Sequence, residues 1–150
     1  MKILASLAAA GVALTLSFSA AAQFNSPAEA VKFRKDTLSE MNKNFRPLGA
    51  MANGRAPFDA KLAQEHAAAV EELSKKPWAA FTPDTDGVGG TKARPEIWMD
   101  NAKFKQASET LMAQTAKLNV AAKTGDLEQL KAAVSNTAAS CKACHDNFRN

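Results

Sequence analysis

Apolar positions along the chain recur at three- and four-residue steps, the spacing of one face of an α-helix. After Ser26 the run reads Val31, Arg34, Leu38, Met41, Phe45 and Leu48. Between Pro95 and Gly125, Ile97, Phe104, Leu111 and Leu118 stand seven apart, with the small residues Ser108 and Thr115 between them. Leu127, Leu130, Val134, Thr137, Cys141, Cys144 and Phe148 keep the same rhythm towards the end. Seams of this kind belong to helices packed nearly parallel around a shared axis.

Caps and breakers divide the pattern into four. Ser26-Pro27-Ala28-Glu29 is a capping box with proline in the first turn. It predicts a helix from there to about Phe45, ended by Pro47 and Gly49. Pro57-Phe58-Asp59 opens a second helix, which Ser74 to Pro77 closes. Pro95 opens a third, from about Glu96 to Lys123, with Gly125 as its terminator. Asp126, with Gln129 three residues on, caps a fourth that runs to about Asn147. No Gly or Pro is expected inside these helices. The predicted fold is all-α, an antiparallel four-helix bundle.

Composition narrows the field further. The chain of 150 residues is 46% apolar, lacks Tyr, and holds only seven Gly. Its apolar content is rich in Ala and Leu, which lose little entropy in a helix. That mixture excludes disorder, a β-sandwich and a dinucleotide fold. Residues 1–22 read as a cleaved export signal: Lys2 is followed by an apolar stretch from Ile3 to Leu16, and Ala20-Ala21-Ala22 satisfies the small-residue cleavage rule. The expected mature domain is 23–150, soluble, periplasmic and with no membrane insertion, because the apolar run is too short to span a bilayer. Removing the leader takes the formal charge from +4 to +3. With no cluster of Arg and Lys interleaved with aromatics, nucleic acid is not an expected partner.

Residues 81–94 form the one long loop. Asp84-Thr85-Asp86-Gly87 resembles the start of a calcium loop, but Val88 and Pro95 stand where oxygen ligands are required. Gly87-Val88-Gly89-Gly90-Thr91-Lys92 has the wrong order for a phosphate loop and follows no strand. Both read as plain loop.

Cys141-Lys142-Ala143-Cys144-His145 is the signature of c-type haem attachment. On a helix, positions i, i+3 and i+4 share a face. Two thiols and an imidazole therefore converge, the thiols to form thioethers with the porphyrin vinyl groups and His145 to ligate the iron proximally. A zinc site would need two further ligands, and the chain offers no other Cys and only His66. A thioredoxin-like pair would follow a strand. The cofactor expected is therefore one covalent haem c per chain, inside the bundle near one end. Since the motif falls within the last ten residues of the sequence, a sixth iron ligand would have to come from upstream.

The terminal attachment helix, Arg34 followed four residues later by Leu38, Pro77-Trp78 and Arg94-Pro95-Glu96-Ile97-Trp98 resemble the cytochrome c′ family over essentially all of 23–150. The resemblance implies a periplasmic homodimer with five-coordinate, high-spin haem that binds nitric oxide and carbon monoxide. Low-spin relatives carry Met four residues after the first-helix Arg; Leu38 stands there and cannot ligate iron. The distal side is then vacant but crowded. Met41 and His66 are the rivals for that position, each read instead as structural. Arg34 lies on an apolar seam and suits a haem propionate, the alternative being a side chain that snorkels to solvent. Lys35 is expected at the haem edge, Arg94 as a weaker propionate contact, and Phe148 in the seam beside the haem. Arg149, four residues after His145, reaches the proximal face or simply sits well at a helix C-terminus. The expected function is binding of diatomic gases, with nitric oxide protection. The alternative is electron transfer with a redox partner protein. An enzymatic role such as peroxidase is disfavoured, because Leu38 provides no acid-base group.

Overall fold

The Ser26 hydroxyl accepts the Glu29 N–H at 3.2 Å, and from that cap a helix runs without interruption to Ala52. The computed structural model describes residues 24–150, so the expected export signal at 1–22 lies outside the described residues. The elements are α1 (Pro27–Ala52), α2 (Ala60–Ser74), α3 (Glu96–Met99), α4 (Asn101–Lys123) and α5 (Leu127–Phe148). Short 3₁₀ turns at Pro77–Ala80 and Pro83–Thr85 lie between α2 and α3. Helices α1, α2, α4 and α5 pack in that order as a four-helix bundle, and α1 also meets α5.

Two expected boundaries are corrected. Helix α1 continues through Pro47 and Gly49 instead of ending at Phe45. A proline inside a helix costs about 3 kcal/mol. Here Leu48, Met51 and Ala52 are buried just beyond it, so apolar burial holds the last two turns in place. The helix ends at Asn53, whose amide side chain and backbone N–H both donate to Gly49 O. Gly54, at φ +68°, then turns the chain. The third helix breaks at Asp100, which leaves α3 as a single turn. Asp100 is itself an N-cap, accepting the Lys103 N–H at 3.2 Å, so its carboxylate starts α4 rather than sitting within a longer helix. The other starts follow the sequence: Asp59 caps α2 and Asp126 caps α5, each accepting an N–H at 2.9 Å.

The core has two parts. The larger one, with Leu48, Val70, Leu111, Leu118, Leu130 and Val134, fills the middle of the bundle. The smaller one gathers Ile97, Phe104 and Phe148, with Trp78, Phe81, Trp98 and Cys144 against them. Phe104 stands edge-on to Trp78 and to Phe148, with centroids 5.9 and 5.3 Å apart. This aromatic group closes the end of the bundle that carries the cysteines.

Between α2 and α4, Asn119 donates to Glu71 at 2.6 Å, and Lys75 pairs with the other carboxylate oxygen at 3.2 Å. The Asn119 hydrogen bond, and secondarily Lys75, hold the Glu71 carboxyl below the usual carboxylate range against the opposing effect of burial. A depressed folded-state value adds stability at neutral pH that is lost as the pH falls through it. Glu71→Gln should therefore lower the thermal midpoint at pH 7 and flatten its acid-side decline. Thermal melts of both proteins from pH 7 down to pH 3 check this, and parallel declines would contradict it.

Candidate haem-binding site

The Cys141 and Cys144 thiols and the His145 ring lie along one wall of a cavity of about 870 Å³. Small-molecule and cofactor sites typically measure roughly 300–1,000 Å³. Helix α5 supplies that wall, from Thr137 and Ala138 through Cys141, Lys142, Cys144 and His145 to Phe148 and Arg149. Helix α1 supplies another with Leu38, Ser39, Met41, Asn42 and Phe45. Val70, Leu111 and Thr115 line it from α2 and α4, and Trp78, Phe81 and Gly90 to Ala93 from the long connection. The lining is mainly apolar, and among the described residues no Asp or Glu takes part in it.

Both cysteines are free and half-buried. Burial pushes the Cys141 thiol up, offset in part by hydrogen bonding from its own backbone and Ser140; burial and then the Cys141 charge push up Cys144. Redox-active pairs instead have a lowered thiol value. The direction at both thiols is opposite to that of a thioredoxin-like pair. The His145 imidazole is pushed down by burial and by the Arg149 charge, with Asp146 opposing. That direction favours the neutral imidazole, the form that donates a nitrogen lone pair to a metal.

Arg34 is 1% exposed, which settles the snorkelling alternative against it. Its Nη1 donates to Ala80 O at 3.1 Å and Thr85 Oγ1 at 2.7 Å, and its Nη2 donates to Thr91 Oγ1 at 3.4 Å. The guanidinium also lies 4.3 Å from the centre of the Phe81 ring. None of these partners carries a negative charge, and burial pushes the guanidinium value down with nothing acting against it. A guanidinium has five N–H donors. The Nε–H and one Nη2 hydrogen are thus left for a carboxylate at the cavity wall.

The remaining expected contacts divide. Lys35, Leu38, Phe148 and Arg149 all line the cavity. Lys35 donates to Gly90 O at 2.6 Å. Arg94 does not line it. Its guanidinium pairs with Glu96, two residues on, at 2.7 Å. Met41 is buried and lines the α1 wall. His66 lies elsewhere, with Nδ1 3.0 Å from Asn44 Oδ1. The structure also brings in Thr91, Lys92 and Lys142, which sequence reasoning missed. Lys142 lies inside the cysteine motif and was findable there; Thr91 and Lys92 sit in a loop without periodicity.

A cavity with two thiols and a neutral imidazole on one wall, a buried unpaired cation and aromatic closure suits haem c. The fold and motif together define a four-helix bundle of the c-type haem class. A family model described as Cytochrome C' matches residues 29–149. The cytochrome c′ of Rubrivivax gelatinosus is 46% identical over 127 residues, covering 85% of this chain and 98% of that protein. The cytochrome c′ of Alcaligenes xylosoxydans xylosoxydans is 43% identical over the same shares. The crystal structure of the Rubrivivax gelatinosus protein superposes with a TM-score of 0.83, covering 85% of this chain and 100% of that one at 46% identity. A leucine variant of the cytochrome c prime from Alcaligenes xylosoxidans, solved as its nitric oxide complex, gives 0.79 at 41% identity, over 85% of this chain and 99% of that one. The chain belongs to the cytochrome c′ family.

Proposed function

We propose that the protein is an exported, periplasmic haem c protein that binds nitric oxide and carbon monoxide. The observation that carries this reading is the asymmetry of the cavity. One wall holds Cys141, Cys144 and His145, while the α1 wall presents Leu38 and Met41. Haem c, when bound, supplies an iron able to take a neutral diatomic ligand. Cys141 and Cys144 would hold it by two thioethers, and His145 would be its one protein ligand. Arg34 would face a propionate with the donors its loop partners leave free, and Lys35 and Arg149 would stand near the edge. Leu38 fills space on the α1 side and gives no hydrogen bond to an incoming gas. The nitric oxide complex of the Alcaligenes xylosoxidans variant supports the gas reading.

Among the described residues, no helix is long and apolar enough to cross a membrane. A periplasmic location agrees with covalent haem attachment and rests on the expected export signal. The reading is of a non-enzymatic binder, because among the described residues no carboxylate lines the cavity, and His145 would be taken up by the iron. It includes a homodimer, with a sedimentation mass twice that of one mature chain. Nitric oxide protection is the physiological role proposed. Electron transfer is the second reading, favoured by the exposed cations Lys35, Lys92, Lys142 and Arg149 at the cavity, which suit an acidic redox partner. An optical titration of the reduced holoprotein tests the first reading. One carbon monoxide or nitric oxide per chain should bind, and an unchanged spectrum would contradict the proposal.

A further inference from the structure

Helix α5 ends at Phe148, and the last two residues would ordinarily fray. They are tied down instead. Arg149 is extended, at φ −135° and ψ 134°, and forms an antiparallel bridge with Ala93. Arg94 N donates to Phe148 O at 3.0 Å, and Asn150 N donates to Lys92 O at 2.9 Å. This backbone pairing, together with the Arg149 N–H donating to His145 O at 3.1 Å, holds Arg149 at the cavity wall.

The 92–94 segment is anchored from the other side by α1. Thr91 Oγ1 accepts both the Ala93 N–H, at 3.1 Å, and Arg34 Nη2, at 3.4 Å. Arg34 Nη1 grips the beginning of the same loop at Ala80 O and Thr85 Oγ1, and the Thr85 hydroxyl in turn donates to Thr82 O at 2.7 Å. Lys35 holds its far end through Gly90 O. Two adjacent α1 residues thus fasten the loop at residues 80, 85, 90 and 91. Arg34 and Thr85 are almost wholly buried, so the Arg34 bonds to Ala80 and Thr85 in this clamp are shielded from water; the bond to Thr91 is part-buried and the Lys35 bond to Gly90 is exposed.

We infer that Arg34 is a positioning residue for the opposite wall of the cavity: through Thr91 it holds residues 92–94 against the chain's end and so fixes where Arg149 stands. What Arg149 does for a bound gas rests on the proposed function; its placement does not. The clamp joins the α1 wall that carries Leu38 to the α5 wall that carries His145.

Amide hydrogen exchange in the holoprotein tests the inference. Thr91→Val removes the oxygen shared by Arg34 and Ala93, whereas Thr91→Ser keeps it. Arg34→Lys keeps the charge but loses the fork. Exchange of the Arg94 N–H should quicken about tenfold in Thr91→Val and Arg34→Lys, the scale of one lost hydrogen bond. It should stay near the unmodified rate in Thr91→Ser, and the Val70 N–H in α2 should be unaffected in all three. An Arg94 rate in Thr91→Val equal to that of the unmodified protein would overturn the inference. So would an acceleration shared equally by Val70, which marks general destabilisation. Nitric oxide dissociation separates the two readings: Thr91→Val should shift it in the direction of Arg149→Ala. If the Arg94 amide loosens while Arg149→Ala leaves dissociation unchanged, the positioning stands and the gas role of Arg149 fails.

Discussion

Replacing Cys141 and Cys144 together by Ala is expected to leave a protein whose haem is wholly removed by acid-acetone extraction, while the unmodified protein retains all of it. The expectation follows from the cavity wall. Both thiols line it, three residues apart on one helix, and burial pushes both thiol values up. This placement suits thioether formation with the vinyl groups of the proposed haem c. Each single replacement should retain haem through the other sulfur. The double variant should also melt earlier, since a ligand bound only to the folded state adds stability. Pigment that stays with the double variant after denaturation would refute the attachment.

The second large effect is expected at Leu38. Its side chain is half-buried, lines the cavity and packs against the main core from α1. Leu38→Ala should speed carbon monoxide association with the reduced holoprotein about tenfold, equivalent to roughly 1.4 kcal/mol off the entry barrier. Leu38→Met should act in the opposite sense, by placing a thioether where a sixth ligand can form and slowing gas binding. Flash photolysis of the three proteins reads both effects. Equal association rates would mean that Leu38 does not stand on the ligand's path.

Much of this arrangement was legible in the sequence, for reasons that differ by element. Asp59, Asp126 and Ser26 announced helix starts because a capping side chain acts within three residues. Pro47 misled because local propensity favours a stop there, while the burial of Leu48 and Met51 depends on helices distant in sequence. Asp100 misled in the reverse sense, since an apolar repeat of seven continues across the break it makes. The cysteine motif was readable because its chemistry demands a fixed spacing on one helix. Arg34 was read on an apolar seam as either a propionate partner or a snorkelling side chain, but its hold on Thr85 and Thr91 was not foreseen, because partners in a loop leave no periodic trace. The position of Arg94 beside Glu96 was visible, yet only the fold shows that the two form an ion pair at 2.7 Å.

The most direct test of the central claim, that His145 is the one protein ligand to iron, is the optical spectrum of the reduced holoprotein without added gas. The α1 wall offers Leu38, which cannot ligate, and Met41, which is buried on the same wall. His66 is removed from the cavity and held against Asn44. The predicted result is a high-spin, five-coordinate spectrum, unchanged in Met41→Leu. A low-spin, six-coordinate spectrum that turns high-spin in Met41→Leu would contradict it.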